Sequence, residues 1–296
     1  MLKVFLAEDE TVSRKAIKKM IQEMEDTEVI GEAENGVSAI EQLEKLVPDV
    51  VILDINMPEM DGLELCRALR DDPVLNGIPV FAFELKNQYT GQTVDDAKRQ
   101  WMYDRDPREL CFQFNKRILA YFCVDHTEVW MTTKLAGKNT YFLPFNQGSN
   151  GAGNDGGKGN PANPNGYPTA YLWENVFQKD SMMDIIQKFM NLKDGKTLIF
   201  PRYHQLDVVR KLLADVRQNG AGHSYLIQHS AGSGKSNSIA WTAYRLASLF
   251  NEENKPVFSS VVVVTDRTVL DAQLQETISG FDHTLGAIET IGEDKT

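Results

Sequence analysis

Asn76-Gly77-Ile78-Pro79-Val80-Phe81-Ala82-Phe83-Glu84-Leu85-Lys86 decides how this chain divides, because two different sequence patterns meet in it. Before it, short apolar runs alternate with helical periodicity and acidic loops. After it come a strand with charges on one face, a glycine-rich stretch and a compact glycine loop. Asn76-Gly77 serves either pattern. It suits a loop leading into a fourth parallel strand, and it is also a hairpin turn signal with a strand on its far side. The chain therefore reads as two truncated modules that share residues 76–80.

The 296 residues allow about two domains, and 42% hydrophobic with 25% charged is ordinary for a globular protein. The net charge of −11 is uneven, with 8 Lys+Arg against 18 Asp+Glu in residues 1–80 and 23 against 24 in the rest. Acidity belongs to the first module and says little about whether the second meets nucleic acid. Cys66, Cys111 and Cys123 have no metal-ligand spacing and are too few for a disulfide framework, which points to buried thiols in a reducing compartment. The N-terminus runs into Glu8-Asp9-Glu10 after a short apolar stretch, unlike a signal peptide, and no run reaches the ~18 apolar residues of a membrane span. A cytoplasmic protein with no membrane partner is expected.

In residues 1–80, Val4 to Ala7 is a short apolar run ending in Glu8-Asp9. Thr11 opens a segment with Val12, Ala16, Ile17, Met20, Ile21 and Met24 on one helical face. A second strand (29–33), a helix with Ala39, Ile40, Leu43 and Leu46 inward, and a third strand (50–53) follow. Alternating βα units with apolar strands imply a parallel, doubly wound sheet whose functional groups sit at the strands' carboxyl ends. Glu8 and Asp9 after the first strand and Asp54 after the third thus arrive at one edge. Carboxylates crowded together repel one another and invite a hard divalent cation with oxygen ligands, Mg²⁺ above all.

With Asp54-Ile55-Asn56-Met57-Pro58-Glu59-Met60-Asp61-Gly62 behind these acids, residues 1–80 resemble a response-regulator receiver domain. The resemblance implies Asp54 as phosphoacceptor, Glu8 and Asp9 as metal-binding acids, the Asn56 carbonyl as a further Mg²⁺ ligand, and a sensor histidine kinase as partner. It also marks two departures. Glu84 stands where the family's fourth strand ends in Thr or Ser, and its charge would repel a phosphoryl group. The Lys that closes the family's fifth strand has no counterpart, and the last third of the domain is missing. Impaired phosphorylation and no complete switch are expected.

In residues 76–200, Phe81 to Lys86 alternates so that Glu84 and Lys86 share one strand face. A carboxylate for Mg²⁺ and an ammonium to orient water or steady phosphate form the later half of a PD-(D/E)xK nuclease site. From about Asn76 onward the chain resembles the motor (R) subunit of type I restriction enzymes, with Gln100 and Tyr103 near that family's Gln/Tyr element but one residue too close. The first metal-binding Asp is missing. Asp71 and Asp72 fall near its place, but Pro73-Val74-Leu75 is too short and proline-broken for the strand it needs. A crippled nuclease is expected. Runs 118–124 and 128–132 read as strands around Asp125-His126, with His126 a turn residue. Residues 146–168, with seven Gly, read as a loop, and Met183, Ile186, Phe189 and Met190 as a core-facing helical stripe.

In residues 201–296, Ser224 to Gln228 reads as a strand, followed by His229-Ser230-Ala231-Gly232-Ser233-Gly234-Lys235-Ser236 and a helix through Leu249. Strand, glycine loop and helix are the setting of a P-loop. Gly232 and Gly234 let backbone N–H groups curl round phosphate, Lys235 reaches the β/γ phosphates of ATP, and Ser236 ligates Mg²⁺. Arg202-Tyr203-His204-Gln205 resembles the adenine-reading Q element of superfamily 2 helicases, with Gln205 as base contact. Val261 to Val264 reads as a buried parallel strand, and Thr265-Asp266-Arg267 resembles the element that touches DNA, with Arg267 on a phosphate. The sequence stops at Thr296 before any Asp-Glu box, so nucleotide binding without hydrolysis or translocation is expected.

The fold expected is α/β throughout: a truncated doubly wound receiver (1–80), a partial PD-(D/E)xK-like region (76–200) and an incomplete RecA-like lobe (201–296). The function implied is a fragment of a type I R subunit, whose intact relatives translocate and cleave DNA with modification and specificity subunits. Two alternatives stand beside it. One is a response regulator whose receiver is the working part, and the other is a join with no function of its own.

Overall fold

The computed structural model describes residues 2–24, 26–43, 45–71, 80–251, 253–264 and 278. Met1–Ala82, Arg105–Leu119 and Ala170–Gln178 gather into one compact unit, and Phe83–Asp104, Ala120–Thr169 and Lys179–Thr296 into a second.

The first unit opens with β1 (Leu2–Ala7), whose last four residues are buried as an apolar run between two neighbours should be. It continues through α1 (Thr11–Gln22), β2 (Thr27–Ala33), α2 (Gly36–Leu43), β3 (Val50–Leu53) and α3 (Gly62–Asp71). The sheet has the order β2-β1-β3, and β1 pairs in parallel with both neighbours. The core joins Phe5, Ala7, Ala33, Ala39, Leu43, Met57, Leu65 and Leu69, with Ile40 and Leu46 packed against it. Val12, expected inward, is 62% exposed, because the buried contact of α1 is made by Ile21 near its other end. A π-helical turn, Leu172–Val176, also lies in this unit.

The chain crosses to the second unit within β4 (Phe81–Leu85) and continues into α4 (Val94–Tyr103), started by a capping box between Thr93 and Asp96. Then come β5 (Ala120–Val124), β6 (Val129–Thr132) and β7 (Leu143–Pro144), giving a sheet of order β4-β5-β6-β7 in which β5–β6 and β6–β7 are antiparallel. Phe122 is its hub, in contact with Phe83, Phe145 and Phe200 at ring separations of 5.2, 5.8 and 5.8 Å. α5 (Lys179–Lys188), the hairpin of β8 (Asn191–Lys193) and β9 (Thr197–Ile199), α6 (Tyr203–Asn219) and α7 (Lys235–Ala247) complete the unit. Trp241 locks α7 against the end of α5, its indole N–H donating to Phe189 O at 2.9 Å.

Three expectations are corrected. β4 joins β5 and is not the fourth strand of the first sheet. The Lys86 N–H donates to Val124 O at 2.8 Å and Phe83 stacks on Phe122, so ladder and core both favour that partner. Ser224–Gln228 and Val261–Val264 form no strand, and Leu226 (95%) and Val264 (86%) are exposed. A strand exists only through its neighbours, and among the described residues neither segment has one. Finally, α5 buries Met182 and Ile185 while Met183 is exposed. The doublets Met182-Met183 and Ile185-Ile186 permit two faces one residue apart, and packing selects the earlier one. The stretch 146–168 is irregular, as expected, and Asn76-Gly77 lies outside the described residues.

Candidate functional site

The acidic site follows from strand register. Ala7 and Leu53 are paired across β1 and β3, so the residues after them leave the sheet at the same edge. The Asp54 N–H donates to Ala7 O (2.8 Å) and the Glu8 N–H to Ala33 O (3.0 Å), anchoring both acids at the strand ends. Glu8, Asp9 and Asp54 each bring a carboxylate oxygen within 4.8 Å of the others. Burial, reinforced by Asp54, raises the Glu8 carboxyl to about 7. Asp54 is also raised, chiefly by burial, although the backbone N–H groups of Asn56 and Ile55 hold it down. Such a set fits a hard cation, which supplies the positive charge these oxygens lack.

Two glycines shape the wall. A Cβ on Gly62 would lie 2.1 Å from Asp54 O, while its N–H donates to Ile55 O at 2.9 Å. A Cβ on Gly36 would lie 2.6 Å from Met60 O. Arg105, only 9% exposed, places Nη2 3.5 Å from Asn56 Oδ1, and its charge also favours the ionised form of Asp54. Sequence reading missed it, because Arg105 lies some fifty residues downstream in a segment that looks like another protein; only its packing in the first unit brings it here. Glu84, expected beside the phosphoacceptor, is instead in the sheet of β4 and β5.

There Glu84 and Lys86 are 7% and 9% exposed, while Phe83 and Leu85 between and beside them are 38% and 52% exposed. The strand thus turns its charges inward, opposite to the usual pattern. Lys86 Nζ lies 3.6 Å from Glu84 Oε2. α4 carries Gln100 and Tyr103; the Gln100 side-chain oxygen is buried and Tyr103 is 67% exposed. His126 stacks face to face on Tyr167, 4.6 Å away and 8° from parallel. Asp72 and Arg267 lie outside the described residues, and Asp71 ends α3.

The glycine loop caps α7. Gly234 is its N-cap with φ +80°, and Gly232 has φ +72°, conformations that favour glycine. The Lys235 ammonium donates to the carbonyls of His229 (3.2 Å) and Ser230 (2.9 Å), with Ser236 next in the helix's first turn. The Arg202-Tyr203-His204-Gln205 stretch, which starts α6, rests directly on this loop. Gln205, 2% exposed, donates from Nε2 to Gly234 O (2.8 Å) and Ser233 O (3.3 Å), and accepts the Arg202 N–H at 2.8 Å. His204 Nε2 lies 3.0 Å from Ser233 O, and Arg202 Nη1 donates to Gly232 O at 3.4 Å. Burial lowers the pKa of both His204 and His229, whose rings lie 4.9 Å apart, and so disfavours a second positive charge beside Lys235. Arg202 and His204 as loop contacts escaped the sequence reading, which singled out Gln205 alone.

Two families match separate stretches of the chain. Residues 4–97 match the response regulator receiver domain family, and residues 204–292 match the SWI2/SNF2 ATPase family. The chemotaxis protein CheY of Listeria monocytogenes is 45% identical over 74 residues, 25% of this chain and 61% of that protein. A protein-glutamate methylesterase/protein-glutamine glutaminase of Methanococcoides burtonii is 44% identical over 69 residues, 23% of this chain and 20% of that protein. The nitrate/nitrite response regulator protein NarL of Escherichia coli is 40% identical over 79 residues, 27% of this chain and 37% of that protein. The chain thus spans less than two thirds of the length of these relatives. Its N-terminal part is a response regulator receiver domain. Among the described residues no helix is long and apolar enough to cross a membrane.

Proposed function

We propose that the working part of this chain is a phosphoacceptor switch, with a histidine kinase as donor and Asp54 as acceptor. The observation that carries it is the convergence of Glu8, Asp9 and Asp54 at one sheet edge within 4.8 Å. A carboxylate oxygen of Asp54 attacks phosphorus, and the leaving group departs on the opposite side. Glu8, Asp9, Asp54 and the Asn56 carbonyl would hold Mg²⁺, whose charge would offset that of acid and phosphate. Arg105 stands behind Asn56, and its charge favours the ionised form of Asp54. Phosphorylation puts a group of ~1.5–2 negative charges at the β3 end in place of the single carboxylate charge of Asp54, together with new acceptor oxygens, the change a switch is built to read.

The direct experiment is incubation of the full chain with acetyl phosphate and Mg²⁺, followed by site mapping. A single phosphoryl group on Asp54, absent from Asp54→Asn and from EDTA-treated protein, is expected; labelling that survives Asp54→Asn sinks the reading.

A second reading is favoured by Gln205, which seats the start of α6 on the glycine loop. We infer from it a nucleotide site of the kind found in type I R subunits, with ATP phosphates on Gly232, Gly234 and Lys235, Mg²⁺ on Ser236 and adenine near Gln205. Under this reading Glu84 and Lys86 are the remaining half of a nuclease site, Arg267 meets DNA, and modification and specificity subunits are partners. Titration with a fluorescent ATP analogue tests it: binding in the wild type that Lys235→Ala does not weaken rules it out.

A further inference from the structure

The end of α1 and the π-helical turn border a cavity of about 310 Å³ within the first unit that neither reading uses. Met20, Glu23 and Met24 line it from the end of α1 and just beyond, and Trp173, Glu174 and Gln178 line it from the turn. The turn is held from behind, because Tyr171, Leu172 and Val176 are buried. Its Phe177 N–H reaches five residues back to Leu172 O at 2.6 Å. The same spacing sets Gln178 against Trp173, whose carbonyl accepts from Gln178 Nε2 at 2.6 Å. One π turn, a feature often found at functional sites, thus delivers three side chains to one cavity.

The lining combines apolar surface with one sign of charge. Met20, Met24 and Trp173 are half-buried, and the thioethers are soft and polarisable. Glu23 and Glu174 are exposed carboxylates, and no Lys or Arg stands in the wall. Among the described residues Glu174 has no ion pair, and Glu23 has only the exposed Lys19, one turn back at 3.8 Å. Glu23 is also the C-cap of α1, the end of a helix where free carbonyls favour a cation over an acid, so helix formation does not call for it. A hard metal ion would not fit. It takes a shell of oxygens, and here two carboxylates share the wall with two thioethers and an indole. A cation that carries its own apolar groups matches both parts of the wall.

We propose that this cavity binds the methylated ammonium group of a small free molecule of the choline type, with Met20, Met24 and Trp173 against the methyl groups and Glu23 and Glu174 balancing the charge. The volume lies at the lower edge of the ~300–1,000 Å³ of small-molecule sites, which suits a ligand of a few heavy atoms and is small for a nucleotide or a folded segment. The site is separate from the acidic edge of the sheet. α1 has 12 residues and so spans about 18 Å, with Glu8 and Asp9 just before its first residue and the cavity at its last.

The test titrates the full chain with choline at constant ionic strength, followed by saturation transfer to the choline methyl protons and by calorimetry. The neutral isostere 3,3-dimethylbutan-1-ol, in which carbon replaces the charged nitrogen, is titrated in parallel. Choline is expected to bind, and the isostere to bind at least about fivefold more weakly, the scale of a cation beside an aromatic ring at a partly exposed site. Glu23→Gln combined with Glu174→Gln should weaken choline by a similar factor. Both side chains are exposed, and unchanged thermal unfolding verifies that this variant folds. Trp173→Leu, which keeps an apolar side chain but removes the ring, should do the same. Absence of choline binding, equal binding of the isostere, or binding that survives the double glutamine substitution shows that the cavity is not a site for an organic cation.

Discussion

The acidic edge of the first sheet and the glycine loop at the head of α7 both suit a phosphoryl group, yet they are built from opposite materials. At the sheet edge three side-chain carboxylates stand within 4.8 Å, and one of them is pushed up to about 7 by burial and its neighbours. That site holds its ligand only after a cation arrives. At the loop the positive elements are backbone N–H groups and one ammonium, and Lys235 rests on the carbonyls of His229 and Ser230. That loop carries its own positive charge, and a ligand there would have to displace the lysine from the two carbonyls. A site made of side-chain charge is thus governed by pH and metal, whereas one made of backbone is governed by conformation.

The comparison predicts that the two sites respond to different insults. Asp54→Asn should abolish acetyl-phosphate labelling completely and leave nucleotide binding untouched; a loss of both would mean that the sites are coupled. Lys235→Ala should do the converse, weakening an ATP analogue by about a hundredfold, the scale of a buried charge-assisted contact to phosphate. Next in size is Gly62→Ala. Its Cβ would meet Asp54 O at 2.1 Å, so the first unit should lose about 1–3 kcal/mol, read by hydrogen exchange in β1 and β3.

The pH response is the fourth. In metal-free protein the folded Glu8 titrates near 7 against about 4.5 when unfolded. The folded state holds the extra proton between these values, so stability falls as pH rises from about 4.5 to 7. Because Mg²⁺ needs the carboxylate, its affinity should drop as pH falls below 7, by up to about tenfold per unit. Calorimetry with and without Mg²⁺ checks both slopes, and Glu8→Gln should flatten them. The smallest effect belongs to Gln205→Ala, which removes two hydrogen bonds to the loop. A three- to tenfold loss of nucleotide affinity is expected, from a net loss of about 1 kcal/mol.

The first sheet was legible because its signal is local. Val4 to Ala7 and Val50 to Leu53 are apolar runs ending in acids, and parallel register alone then puts Glu8, Asp9 and Asp54 together. The glycine loop was legible for the same reason, since Gly232, Gly234 and Lys235 are adjacent in sequence. What escaped is what depends on partners. β4 alternates correctly, but alternation does not say which sheet it joins, and a core aromatic, Phe122, decides. Ser224–Gln228 has the composition of a strand and, among the described residues, no neighbour to pair with. Arg105 reaches Asn56 through packing that no spacing rule encodes, and the Met182-Met183 doublet left α5 free to turn by one residue.

The cysteines give the two units a built-in clock. Cys123, at 0% exposure in β5, belongs to the second unit, whereas Cys66 in α3 belongs to the first, and burial pushes its thiol up to about 12. Only a thiolate reacts with an alkylating reagent, so each sulfur reacts slowly while its own surroundings stay closed, Cys123 more slowly than the partly exposed Cys66. A time course of alkylation, resolved peptide by peptide, would therefore record the opening rate of each half of the native chain, with no substitution and no attached probe.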